Sequence, residues 1–160
     1  MKTMTRDRIV RGVEVTAIVH ATEDESKVRK AMLSILPRKA EIPTIQSTEL
    51  DGYYGDPIIT LKYVLKNRRP ATEFFDYLIS KLSSLDLDTL LEELPIRIEE
   101  SKNLYIRIDK QKAYQGKVVL ERHDALRLKI KLQLPHKADP VKTLYNYIED
   151  ITSELHEKIR

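Results

Sequence analysis

Residues 126–134 read LRLKIKLQL and carry the clearest strand pattern in the chain. Leucine or isoleucine stands at every second position, and arginine, lysine or glutamine stands between them. This period of two predicts a β-strand with one buried side and one solvent-facing side. Because a slip of one residue would bury every charge, the pattern predicts that these side chains point into the core: Leu126, Leu128, Ile130, Leu132 and Leu134.

Other segments show the same alternation. Residues 103–109, NLYIRID, form a strand pattern that runs without a spacer into the polar, basic stretch KQKAYQG at 110–116. Alternation also predicts strands at about 12–21, 44–50, 58–66 and 117–120, and a weaker one at 96–102 that would pair with 104–109. The segment 117–120 would form a hairpin with 126–134 across the turn at 121–124.

Amphipathic patterns predict four helices, at about 22–36, from 71 onwards, at 86–95 and from 139 towards the C-terminus. Thr22 and Glu25 have the spacing of a capping box, which would start the first helix. Pro95 should end the third helix. Asp139 as N-cap and Pro140 at the first helical position should start the last helix. Its apolar stripe would consist of Val141, Leu144, Tyr145, Ile148, Ile151, Leu155 and Ile159.

Two-faced strands combined with amphipathic helices predict an α+β fold, a two-layer sandwich whose mainly antiparallel sheet has helices on one face. Residues 1–160 should form a single domain, because no linker or internal repeat divides them. The uncovered sheet face would carry six cations and two anions among Glu14, Thr16, His20, Lys62, Lys66, Tyr105, Arg107, Asp109, Arg127, Lys129, Lys131 and Gln133.

The composition argues against several classes of protein. The chain has 160 residues, no cysteine and four glycines, so disulfides, thiolate metal sites and glycine-rich nucleotide loops are excluded. No hydrolase motif occurs, and we expect a protein that is not an enzyme and has no cofactor. Since there is no long apolar run and no signal-peptide pattern, we expect a soluble, cytoplasmic protein without a membrane partner.

His20 is the histidine most suited to chemistry, because it stands close to Glu23 and Asp24. Such a cluster could hold a metal ion or act as an acid–base pair. The two acids fit equally well as first-turn residues that complement a helix dipole. We therefore expect neither a metal site nor a catalytic centre.

Charge and aromatic residues point towards nucleic acid. Acids are concentrated at 86–100, away from the basic residues, which favours a polyanionic partner for the basic surface. The loop Gly52-Tyr53-Tyr54-Gly55 could present tyrosine rings to unpaired bases, although the tyrosines could equally pack on the rim of a turn. The candidate RNA-binding residues are Tyr53, Tyr54, Lys62, Lys66, Tyr105, Arg107, Lys110, Gln111, Lys112, Tyr114, Lys117, Arg127, Lys129 and Lys131.

Three blocks of the sequence resemble the signature blocks of an archaeal family catalogued as RNA-binding and as a predicted exosome subunit. The blocks are residues 20–24 (HATED), 52–58 (GYYGDPI) and 104–116 (LYIRIDKQKAYQG). The chain departs from the family pattern at Tyr53, where histidine is usual, and at Asp56, where asparagine is usual. The resemblance implies a fold like that of ribosomal protein L-five.

Two functions remain open at this point. The first is a non-catalytic RNA-binding protein, an accessory factor of archaeal RNA processing or of the exosome, which would make exosome subunits its partners. The second is a protein–protein interaction module or homodimer that uses the same open sheet face. In the second case the acidic residues at 86–100 of a neighbouring copy would match the cations of the face.

Overall fold

In a computed structural model, residues 8–51, 55–100 and 102–159 are described, with side chains as far as residue 155. The strands are β1 (Val10–Val19), β2 (Gln46–Asp51), β3 (Pro57–Leu65), β4 (Ile98–Glu99), β5 (Asn103–Asp109) and β6 (Ala125–Leu132). The helices are α1 (Glu25–Ser34), α2 (Arg68–Lys81), α3 (Ser84–Arg97), α4 (Lys110–Tyr114) and α5 (Pro140–Ile159).

The strands form a single antiparallel sheet in the order β2-β3-β1-β6-β5-β4. Strand β6 lies near its centre, between β1 and β5. The predicted alternation is confirmed there: Leu128 and Ile130 are buried, Arg127 is exposed and Lys129 is half-buried. Leu134 lies beyond the end of β6 and is half-buried against the core.

The helices cover one face of this sheet and complete a two-layer α+β fold. Burial raises the pKa of the Tyr63 phenol on β3, which donates a hydrogen bond of 2.7 Å to the Met32 carbonyl oxygen of α1. The Tyr147 hydroxyl of α5 donates to Asp76 Oδ1 of α2 at 2.8 Å. The first contact holds α1 against the sheet, and the second holds α5 against α2. The likeness to ribosomal protein L-five stays a prediction.

The first helix begins differently from the prediction. Asp24, rather than Thr22, is the N-cap of α1, and its Oδ1 accepts from the Ser26 backbone N–H at 2.9 Å. Glu23 Oε1 instead accepts from the backbone N–H of His20 at 3.0 Å. The capping-box prediction is therefore wrong, because an aspartate two residues further on caps the same helix, and Glu25 pairs with Arg29 instead.

Two further helix predictions need correction. Helix α3 continues through Pro95 to Arg97, because a proline this close to the end of a helix removes only one backbone hydrogen bond. The Arg97 guanidinium also holds the last turn through a 2.7 Å contact to Glu93. On α5, Tyr145 is exposed and Tyr147 is buried in its place.

The predicted hairpin of 117–120 with 126–134 does not form. Residues 119–121 instead run beside the end of β5, where the Asp109 backbone N–H donates to the Val119 carbonyl oxygen at 2.8 Å. A single bridge joins Ile108 and Leu120. Helix α4 lies between β5 and this segment in the chain, and the segment pairs with the end of β5 rather than with β6. The weaker pairing predicted for 96–102 is confirmed at Ile98 and Glu99 of β4, whereas Ile96 and Arg97 belong to α3.

Candidate nucleic-acid interface

The open sheet face carries a row of side chains that crosses four strands. Lys62 lies opposite Thr16, Thr16 lies opposite Arg127, and Arg127 lies opposite Arg107. Both arginines are exposed. Like charges in directly opposed positions destabilise a strand pair, so this pair disfavours folding unless an anion lies between the two guanidinium groups.

Glu14 neutralises two other cations of this face. Its Oε1 lies 2.9 Å from Lys62 Nζ, and its Oε2 lies 2.7 Å from Lys131 Nζ. Partial burial alone would raise the pKa of Glu14, but hydrogen bonds and charge attraction from Lys131 and Lys62 outweigh it and lower the pKa to about 2. Lys62 and Lys131 thus have an ion-pair partner within the protein.

Three cations of the face have no such partner. Arg107 donates to the Arg122 carbonyl oxygen at 3.3 Å. Among the described residues, Arg107, Arg127 and Lys129 make no ion pair with a carboxylate. The two arginines line a shallow cavity of about 450 Å³ together with Thr16, Thr60 and Asp124, whose carboxylate accepts from Lys110. The cavity thus brings two guanidinium groups and two hydroxyl groups together beside one carboxylate that Lys110 already holds, and the guanidinium side suits a phosphate group.

A buried lysine organises the end of the sheet next to this face. Lys110 is 8% exposed, and its Nζ donates to Ile18 O at 2.6 Å, to Asp124 Oδ1 at 2.7 Å and to Glu23 Oε1 at 3.1 Å. The hydrogen bond from Lys110 holds the pKa of the Asp124 carboxyl below its ordinary value, and a hydrogen bond from His20 adds to this effect.

This placement corrects the prediction for Lys110. An ammonium group offers three hydrogens, and here all three have protein acceptors: the Ile18 carbonyl oxygen and the carboxylates of Glu23 and Asp124. Lys110 thus joins β1, the start of α1 and the turn before β6. It is not available to phosphate, and we leave it out of the RNA-contact surface.

The same cluster contains possible metal ligands. One ligand atom each from His20, Glu23 and Asp124 lie within 4.8 Å of one another. Oxygen and imidazole ligands suit a divalent cation. A cation would have to displace the Lys110 ammonium, which lies within hydrogen-bond distance of both carboxylates. Asp24, which the sequence placed beside His20, caps α1 instead.

The segment after β5 folds into helix α4 rather than extending the open face. Asp109 Oδ1 caps α4 by accepting from the Lys112 backbone N–H at 2.8 Å, and Gly116 ends the segment with a φ of +81°. Helix α4 packs against α1, in the helix layer. Lys30 Nζ lies 4.8 Å from the centre of the Tyr114 ring. Gln111, Lys112 and Lys117 are exposed here, away from Arg107.

The remaining predicted residues are spread out. Tyr105 is half-buried on the open face, opposite Lys129. Lys66 is exposed beyond the C-terminal end of β3, at the opposite end of the sheet from Lys110. Tyr53 and Tyr54 lie outside the described residues. Among the residues that the structure describes, one group lies on the sheet and another on or beside α4, as two separate groups.

The sequence analysis did not predict a role for Asp124, which stands in a segment with the composition of an ordinary turn. The strand register contains the signal that could have found it: Asp109 pairs with Ala125, so Lys110 and Asp124 are the next residues outward. Asp124 has a φ of +41°, a conformation that aspartate tolerates better than most residues. Opposite charges at the positions just beyond two paired strand ends indicate an ion pair.

Comparison with known proteins identifies the family of this chain. A family model described as RNA binding matches residues 12–132. The chain belongs to this family. A relative from Pyrococcus abyssi named as an RNA-binding protein is 34% identical over 134 residues, which cover 82% of this chain and 84% of the relative.

Solved structures support the same fold. A crystal structure from Archaeoglobus fulgidus, assigned to the family DUF54, has a TM-score of 0.73 and 30% identity and covers 89% of this chain and 99% of its own. A DUF54 protein from Methanothermobacter thermautotrophicus has a TM-score of 0.69 and 30% identity, with 89% and 98% covered. Within the described part of the chain, no helix combines the length and apolar character needed to cross a membrane.

Proposed function

We propose that this member of the RNA-binding family binds RNA without catalysing a reaction, mainly through phosphate groups on the open sheet face. The observation that carries the proposal is the pair Arg107 and Arg127, directly opposed on β5 and β6 and exposed. Neither forms an ion pair within the described residues. Two facing guanidinium groups lose their mutual repulsion when a phosphate lies between them, and each can bind it through two hydrogen bonds.

The cations of the open face are expected to contribute unequally to RNA binding. Arg107, Arg127 and Lys129 form the core of the proposed contact, because their charge is not cancelled. Lys62 and Lys131 lie around Glu14 and contribute less. Such a surface contacts the RNA backbone and carries little information about base sequence.

The test is the double variant Arg107→Ala/Arg127→Ala, measured by equilibrium binding to single-stranded RNA over a salt series. Each phosphate contact to a single strand contributes a slope of about −0.7 in log affinity against log salt concentration. Loss of two contacts should flatten the slope by about 1.4 units and lower the affinity on the order of tenfold at moderate salt. The preference among base sequences should not change.

The matched control is Lys81→Ala/Lys142→Ala, which removes the same net charge from exposed positions on α2 and α5 in the helix layer. We expect a much smaller change in slope for this variant. Equal flattening by both double variants would show that net charge, not the open face, sets the affinity. Absence of RNA binding by the wild-type protein at low salt would refute the proposal itself.

We further propose an accessory role in archaeal RNA processing or beside the exosome. The support is the resemblance of the three sequence blocks to a family catalogued in those terms. Crosslinking in native cells, with sequencing of the bound RNA and mass spectrometry of copurifying proteins, tests this role. Recovery of no RNA and no processing factor would argue against it.

An interaction module is the second candidate, favoured by exposed apolar residues on α3. Leu85 is 75% exposed and Ile96 is 78% exposed, on a helix that also carries exposed acids such as Asp88 and Glu92. This combination suits contact with a basic surface of another protein or of a second copy. Sedimentation at low and high salt tests the homodimer: a salt-sensitive dimer supports it, and a monomer at all concentrations contradicts it.

A further inference from the structure

A second concave surface lies between α1 and α4, on the side of the molecule away from the open sheet face. Its volume is about 340 Å³, and Lys27, Val28, Ala31, Gln111, Tyr114 and Gln115 line it. Val28 and Ala31 are buried and give it an apolar floor. The volume lies at the lower end of the roughly 300–1,000 Å³ typical of ligand pockets, which suits one small planar group rather than a large cofactor.

The charged groups Glu23, Asp24 and Lys110, which also line this cavity, already make hydrogen bonds within the protein. Glu23 accepts from Lys110 and from the His20 backbone, and Asp24 accepts from Ser26. Lys110 donates to Ile18 and Asp124 as well. Lys110 therefore offsets part of the charge of Glu23, whereas the exposed Asp24 carboxylate keeps its negative charge. The part of the cavity beside these two carboxylates therefore disfavours an anionic group and accepts a neutral one.

The free polar groups are two neutral amides. Gln111 and Gln115 are exposed, and in the part of the chain that the structure describes neither amide side chain makes a hydrogen bond. Each amide offers a donor and an acceptor in one plane. The edge of an unpaired nucleobase presents donors and acceptors in the same planar arrangement, and proteins read such edges with amide side chains.

An aromatic residue and two lysines complete the surroundings. Tyr114 is 37% exposed and lines the cavity, and Lys30 Nζ lies 4.8 Å from its ring centre. Aromatic rings stack on bases of single-stranded RNA. Lys27 and Lys30 are exposed and can contact the phosphate attached to a bound base. The cavity thus combines buried apolar residues, an aromatic ring, two neutral amides and nearby lysines. These groups suit the base and the phosphate of one nucleotide.

We infer that the cavity between α1 and α4 is a nucleobase pocket that takes one unpaired base of the bound RNA. This inference rests on the proposed RNA binding and deepens it, since it assigns base preference to the helix side and backbone affinity to the sheet side. Gln111 and Gln115 read the edge of the base, and Tyr114 contacts its face.

The test compares oligouridines of about 12 nucleotides, a length within the site sizes of single-strand binders, that carry a single central A, C or G. Wild-type protein should prefer one of these bases. Gln111→Ala/Gln115→Ala should weaken binding of the preferred oligonucleotide about fivefold per amide lost and leave the salt slope unchanged. The control Gln46→Ala removes an exposed amide from edge strand β2 and should change nothing.

A second readout uses the nucleoside monophosphates AMP, CMP, GMP and UMP with the full chain. In NMR spectra, the side-chain amide signals of Gln111 and Gln115 should shift with one of them, while the signals of Gln46 should not. RNA binding that shows no base preference, or a preference that survives in the double variant, overturns the pocket but leaves phosphate binding intact. Failure of the wild-type protein to bind RNA at low salt overturns both.

Discussion

Lys110→Met is expected to lower the free energy of unfolding by about 3 kcal/mol at neutral pH, because it removes the cation that holds two carboxylates together. Breaking a buried ion pair from one side costs roughly 3–5 kcal/mol. The lower end applies here, since the Asp124 side chain is 53% exposed and can be rehydrated. The Ile18 carbonyl oxygen would also lose its 2.6 Å donor.

Urea unfolding at pH 7 measures this loss, and the control is Lys112→Met. Lys112 lies on the same short helix, two residues away, but is exposed. We expect a change below about 0.5 kcal/mol for it, as for most surface substitutions. The double variant Lys110→Met/Asp124→Asn should lose less than the sum of the single variants, because the two residues act on one another. Equal midpoints for Lys110→Met and Lys112→Met would show that the network does not stabilise the fold.

The pH dependence of this network has a definite sign. The pKa of Asp124 lies below its ordinary value of 3.8 in the folded protein, mainly because of the hydrogen bond from Lys110. The unfolded chain therefore binds the proton more readily than the folded chain does. The contribution of Asp124 is complete above pH 3.8 and is lost as the pH falls through its lower, folded-state pKa.

The sheet layer could be predicted from sequence because strand alternation is a local signal. At 126–134 the residue type indicates which side of the sheet each side chain faces. A register shift of one residue would bury a polar or charged side chain at every second position. The same logic placed β1, β3 and β5 within a few residues of their observed ends. Their lateral order could not be read, since β6 pairs with β1 across more than 100 residues and no local pattern encodes that neighbour.

Helix α4 and the hydrogen-bond network of Lys110 could not be predicted from local sequence patterns. A helix as short as Lys110–Tyr114 gives no measurable apolar period, and its sequence looks like a basic surface loop. Burial of Lys110 depends on two carboxylates that come from separate turns, at Glu23 and Asp124. Residue type alone therefore indicated a phosphate contact, whereas the tertiary structure gives this lysine a structural role.

The sequence predicted which cations lie on the open face, but not which of them are neutralised by a carboxylate. The sequence identified the cations of the open face, and the structure confirms the exposure of Arg107 and Arg127. It could not show that Glu14 lies between Lys62 and Lys131, because these three residues belong to three different strands. The effective charge of the face is consequently centred on the arginines.

Glu14→Gln should lower stability at neutral pH by about 2–3 kcal/mol, because the pKa of this carboxyl is about 2 in the folded protein against an ordinary value of 4.5. A lowered pKa means that the folded state favours the charged form. The stabilisation is thus complete above pH 4.5 and is lost as the pH falls towards 2. Unfolding curves of the wild type and the variant should converge over that interval. A difference that stays constant from pH 6 to pH 2 would contradict this assignment.

The same substitution should act in the opposite direction on RNA binding. Without the Glu14 carboxylate, Lys62 and Lys131 lose their internal partner and become available to phosphate. Up to two further contacts would steepen the salt slope by about 0.7–1.4 units and raise the affinity at low salt. Glu149→Gln is the matched control, since it changes net charge equally at an exposed position on α5. A variant that loses both stability and RNA affinity would indicate that Glu14 organises the binding surface rather than screening it, and the open face would then need a different geometry from the one proposed.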